Sequence, residues 1–149
     1  MRRDMHERAY DIEPGPADAK ASRSMMFRAE HPDHALRGDF DERGLQVTPR
    51  SQRPASTVQI SLDRWGRPGN WHTTTEARPR LSQNRLSFHR GELVEWYLHD
   101  SRGIEQGFDL FESPSGEGPL RVELSLDTEL VPRSVDDQTV KFISHTGRQ

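Results

Sequence analysis

Four carboxylates, Glu92, Glu95, Glu105 and Asp109, lie close together in the chain. A pair of them at the right separation would supply the acid and base of a small carboxylate-dependent hydrolase acting on glycosides. Carboxylates at strand-surface spacing more commonly form a solvated face. His31-Pro32-Asp33-His34 offers two imidazoles and a carboxylate, a donor set suited to zinc or another divalent ion. Histidines three apart share a face only on a helix, however. Pro32 opposes a long helix there, and no third ligand pattern follows. A polar loop is expected, with no metal site. Asp39-Phe40-Asp41-Glu42-Arg43-Gly44 resembles the start of a calcium loop. Arg43 and Arg50 then occupy the fifth and twelfth seats, where oxygen ligands are required. An acidic hairpin turn is the expectation. Nucleophilic catalysis has no support, because there is no Gly-x-Ser-x-Gly elbow and no cysteine. The chain is expected not to be an enzyme and to need no cofactor.

Binding is better represented than catalysis. Trp65 and Trp71 flank Gly66-Arg67-Pro68-Gly69-Asn70, and two exposed indoles would make a ligand-binding surface for a sugar or a protein hot spot. A carbohydrate-binding module using Trp65 and Trp71 is therefore one alternative. The other is that one or both indoles plug a thin core, since tryptophan is highly buried on average.

The elements that would position these groups are strands. Apolar residues make up only 31% of the 149 residues, and charged ones 30%. The 21 basic and 24 acidic side chains nearly cancel, to −3, so self-repulsion does not oppose collapse. Basic and acidic residues interleave and leave no positive stripe for phosphates, so no nucleic-acid partner is expected. No stretch approaches the ~20 apolar residues of a membrane span, and no signal peptide opens the chain. Without cysteine there are no disulfides.

Residues 1–24 show no apolar period and contain Glu13-Pro14-Gly15-Pro16, so a solvated, disordered N-terminal arm is expected there. From Met25 the pattern is alternation. Thr57 to Asp63 and Leu120 to Asp127 place an apolar residue at every second position, as do Leu86 with Phe88 and Val94 with Trp96 and Leu98. Gly44 to Pro49 reads as a strand ended by proline. Arg90-Gly91-Glu92 has the length of a hairpin turn. About eight short strands, each with one wet face, predict an all-β fold over 25–149. It is expected to be an antiparallel β-sandwich, with a partly open barrel as the alternative. The long stretch from Gly66 to Asn84 is expected to hide a further strand near Trp71–Thr75.

Asn84 to Tyr97 contains Glu95-Trp96-Tyr97 and leads into Arg102-Gly103-Ile104-Glu105-Gln106-Gly107-Phe108. This resembles a signature of the N-terminal leader region of large bacterial FG-GAP (VCBS-type) repeat proteins. In those, an apolar-aromatic strand ends in Glu-Trp-Tyr and is followed by Gly-Leu-Glu-Gln-Gly-Phe. Ile104 stands here for the leucine. Phe40 to Pro49, Pro119 to Leu126 and Val140 to Gly147 resemble further segments of the leader. The resemblance implies a non-catalytic β-sandwich-like module of an exported, extracellular or cell-surface bacterial protein, with an unknown protein or glycan partner. It also implies another strand or two beyond Gln149, so the domain is expected to be truncated at its C-terminus.

The motif can also be read physically. Trp96, in phase with Val94 and Leu98, is expected to be buried, and Tyr97 to face outward or toward a sheet edge with Glu95. Gly103 and Gly107 predict a bulge or tight bend where a side chain would obstruct the backbone. Gln106 shares a face with Ile104 and Phe108 and, if buried, must have its amide satisfied by neighbours.

Overall fold

The computed structural model describes residues 8–15, 26–51 and 56–145. Thirteen strands run through them: β1 (Glu13–Pro14), β2 (Phe27–His31), β3 (Leu36–Asp41), β4 (Gly44–Pro49), β5 (Val58–Arg67), β6 (Asn70–His72), β7 (Arg78–Ser82), β8 (Arg85–Arg90), β9 (Leu93–Asp100), β10 (Gly103–Leu110), β11 (Arg121–Asp127), β12 (Val131–Ser134) and β13 (Val140–Ile143). The fold is all-β and antiparallel, as the alternation predicts, and among the described residues no sheet closes into a barrel. The larger sheet has the order β1-β2-β3-β4-β5-β11, with β6 also paired to β5. A second sheet has the order β10-β9-β8-β7, and β12 and β13 form a separate hairpin.

Most neighbours in a sheet are joined by tight turns. Asp41 pairs with Gly44, Ser82 with Arg85, Arg90 with Leu93 and Asp100 with Gly103. Short connections of this kind fix register, and register decides which side chains enter the core. The stretch from Gly66 to Asn84 holds β6 and β7, two short strands in place of the single one expected near Trp71–Thr75.

The core lies between the two sheets. Ala29, Phe40 and Leu45 from the larger sheet meet Leu86, Phe88 and Tyr97 from the smaller one. The Phe40 and Tyr97 rings approach edge-on with centroids 4.9 Å apart, a geometry that adds about 0.5–1.5 kcal/mol to simple burial. Gly38 lets the sheets approach closely, because a Cβ there would overlap Ile104 Cδ1 of β10. Of the residues on which the alternation reading rests, Val58 is buried, Ile60 and Val122 are half-buried, and Leu124 is exposed. All four sit on strands. Leu124 lies on the outermost strand of its sheet.

The expected N-terminal arm is described only over residues 8–15, and there it is docked and not solvated. Tyr10 and Ile12 are buried, the Ile12 N–H donates to the Gln83 carbonyl, and β1 pairs with β2. Two apolar side chains without periodicity give no amphipathic signal, yet they suffice to fill a gap at the sandwich end. The rest of the expected arm lies outside the described residues. Among the described residues no helix is long and apolar enough to cross a membrane.

Candidate functional site

The motif from Glu95 to Phe108 occupies two adjacent strands, β9 and β10, whose register sets Trp96 opposite Gly107, Tyr97 opposite Gln106 and Glu95 opposite Phe108. Strand β8 supplies the phase. Its alternation is unambiguous, with Leu86 and Phe88 fully buried, and they pair with Tyr97 and Glu95. Tyr97 and Glu95 therefore point into the core and Trp96 points out. This reverses the expectation that Trp96 is buried and Tyr97 outward. Leu93 to Leu98 is apolar or aromatic at every position but Glu95, so its alternation fits either phase. A one-residue slip exchanges the faces of every side chain. The neighbouring strand, and not the segment itself, selects the phase.

Glu95 is consequently a buried carboxylate, and it is fully satisfied. Arg90 Nε donates to Glu95 Oε2 at 2.6 Å, with the two side chains 5% and 0% exposed. The Tyr97 hydroxyl donates to Glu95 Oε1, and Gln106 Nε2 donates to the same oxygen at 2.9 Å. The guanidinium reaches further, to the carbonyls of Glu76 at 3.1 Å and Glu42 at 2.8 Å. Glu42 lies in the β3–β4 turn of the other sheet, so this one arginine ties both sheets and the 73–77 connection together. The satisfied Gln106 amide is what its place between Ile104 and Phe108 requires. Burial, then the Glu95 charge, pushes the Tyr97 phenol well above its ordinary range, so it stays a hydrogen-bond donor and cannot serve as a base. Desolvation strengthens each of these contacts and makes the loss of any partner costly.

The outward half of the motif is also packed against its neighbours. Arg85 stacks over the Trp96 ring at 4.5 Å, and Trp96 Nε1 donates to Asp109 at 3.3 Å. Gly107 leaves room for the indole, since a Cβ there would overlap it. Gly107 is thus a packing glycine in a regular strand. Gly103 has φ of 132° and closes the β9–β10 turn. Glu105 faces out, half-exposed, 3.7 Å from Arg102. Glu95 and Glu105 lie on opposite faces of one sheet and cannot act as a carboxylate pair.

Trp65 and Trp71 are likewise separated. Trp65 pairs with His72 and Trp71 with Gly66, which sends the two indoles to opposite faces of the sheet. Trp65 is buried and stacks on His72 at 5.7 Å, while Trp71 is half-buried beneath Arg64 at 4.2 Å. They form no shared platform.

Sequence reasoning missed a cluster at one end of the sandwich. Tyr10, His31 and His99 pack ring to ring with centroids 5.5 Å apart, and His34 lies 4.2 Å from His31. His31 Nδ1 accepts from the backbone N–H groups of Asp33 and His34. Its Nε2–H must then donate to the Asp100 and Ser101 carbonyls. Both ring nitrogens are committed, and His31 organises the loop expected at His31–His34. His99 Nδ1–H donates to the Tyr10 carbonyl at 2.9 Å, and its buried Nε2 has no hydrogen-bond partner among the described residues. Burial holds the His99 imidazole below its ordinary pKa. Only the aromatic character of the three residues could have suggested the cluster, because they come from distant parts of the chain.

Asp41 accepts from the N–H groups of Arg43 and Gly44, forming the expected acidic hairpin turn. Asp39 is clamped between Arg28 at 2.6 Å and Arg37 at 2.8 Å. Among the described residues no group of three or more histidine or acidic side chains is placed to hold a metal ion. No family model, characterised protein or solved structure matches the chain.

Proposed function

We propose that the chain is a non-catalytic structural or interaction module, of the kind its resemblance to the leader domain of exported bacterial FG-GAP repeat proteins implies. The observation that supports this most is the closure of the network joining Arg90, Glu95, Tyr97 and Gln106. The carboxylate best placed to do chemistry has every oxygen occupied and no exposed surface. The motif's residues divide into an inward set that locks two sheets together and an outward set that packs Trp96 on Gly107. Both roles are architectural, which suits a domain that positions other parts of a larger protein. The extracellular or cell-surface setting rests on the resemblance alone.

Two measurements test the reading. The purified chain is assayed against glycoside, ester and peptide substrates beside Glu95→Gln, and no turnover is expected from either. Turnover lost in a Glu95→Gln protein that keeps its fold would overturn the non-catalytic reading. Genomic sequence flanking the reading frame is expected to encode an export signal upstream or FG-GAP repeats downstream, and neither being present would remove the family assignment.

A further inference from the structure

We infer that β11 is a self-recognition edge, through which two copies of the chain pair antiparallel about a two-fold axis at Leu124. Among the described residues the strand is the last of its sheet, bonded to β5 on one side only. Its single irregularity leaves the extra residue, Asp63, on β5, so β11 itself carries no inserted residue. Two other edges carry proline, Pro14 in β1 and Pro79 between two arginines in β7, and the β10 edge is interrupted by Gly107. Strand β11 has no proline, and Arg121, Leu124, Ser125, Leu126 and Asp127 are all exposed along it.

The sequence Arg121-Val122-Glu123-Leu124-Ser125-Leu126-Asp127 is complementary to its own reversal. Centred on Leu124, antiparallel pairing sets Arg121 opposite Asp127, Val122 opposite Leu126 and Leu124 opposite Leu124. The two-fold axis repeats each unlike pair, as an isologous contact requires. Neither Arg121 nor Asp127 has an ion-pair partner among the described residues, so both charges are free to pair across the axis. Directly opposed residues of an antiparallel ladder share a face, so the apolar strips of the two copies become continuous. Leu124 and Leu126, now 40% and 45% exposed, would then lie beside their counterparts.

Other registers are worse. A shift of two residues one way sets Glu123 opposite Glu123, and the other way sets Glu123 opposite Asp127. A shift of one sets Arg121 opposite Leu126 and Glu123 opposite Leu124. Within a shift of two residues either way, only the register centred on Leu124 matches charge with charge and apolar with apolar. This inference is independent of the proposed function, since it concerns the opposite sheet from the Glu95–Phe108 motif.

The test is sedimentation velocity of the full chain from micromolar to near-millimolar concentration, with Arg121→Asp, Asp127→Arg and the double variant. A concentration-dependent dimer is expected. Each single reversal opposes like charges at both ends of the strand pair and should weaken dimerisation about tenfold. The double variant restores opposite charges and should recover most of the affinity. Circular dichroism reports whether each variant keeps its strand content. A chain that stays monomeric throughout, or a dimer that all three variants leave unchanged, overturns the inference. Two weakened single variants without recovery in the double variant overturn the register.

Discussion

The indole of Trp96 lies across the β9–β10 ladder over Gly107, in the space that a side chain at position 107 would fill. Gly107→Ala should therefore destabilise the domain by about 1–3 kcal/mol, the usual cost of overpacking. Combining it with Trp96→Ala should cost less than the sum of the two single changes, because the second removes what the first collides with. Urea denaturation of the three variants measures this. Strict additivity would mean that the two residues do not meet.

His99 makes stability depend on pH. Its folded-state pKa is held below the ordinary value of 6.5, chiefly by burial, so the unfolded chain binds the proton more readily. The stabilising contribution is complete above about pH 6.5 and is lost as pH falls through that value toward the lower folded-state pKa. Melting curves between neutral and mildly acidic pH should show the decline. His99→Asn retains a donor near the Tyr10 carbonyl but cannot titrate, and should flatten the dependence. An equal decline in that variant would assign the effect to other groups.

Trp65 and Trp71 should report different surroundings. In single-tryptophan variants, the emission of Trp65 should be poorly quenched by acrylamide and that of Trp71 more strongly quenched, following their burial. Adding a polysaccharide should not shift both together. Common quenching with a common shift would restore the idea of a shared sugar platform.

The all-β architecture was legible in the sequence wherever the two faces of a strand differ in burial, as in Arg85 to Arg90. It became ambiguous where both faces carry apolar residues. Trp96 and Tyr97 illustrate this, because their facing is set by β8 and cannot be read from β9. The Gln106 amide was readable from its apolar neighbours Ile104 and Phe108. The partners of Glu95 were less so. Arg90 is near in sequence and diagonal across a hairpin, but nothing in the pattern says that both point inward. The cluster of Tyr10, His31 and His99 joins segments far apart in the chain. Contacts of that kind arise from sheet packing and leave no local periodicity. The docking of Ile12 was hidden for the same reason.

Glu95 as a buried structural anchor, and not a reactive group, is tested most directly by a double-mutant cycle on Arg90 and Glu95, followed by equilibrium denaturation. Arg90→Met and Glu95→Leu should each cost about 3–5 kcal/mol, because each leaves an unpaired charge in the core. The double variant should cost clearly less than their sum, giving a large coupling energy. Two small, additive losses in folded proteins would show that the pair carries no structural load and would contradict the account.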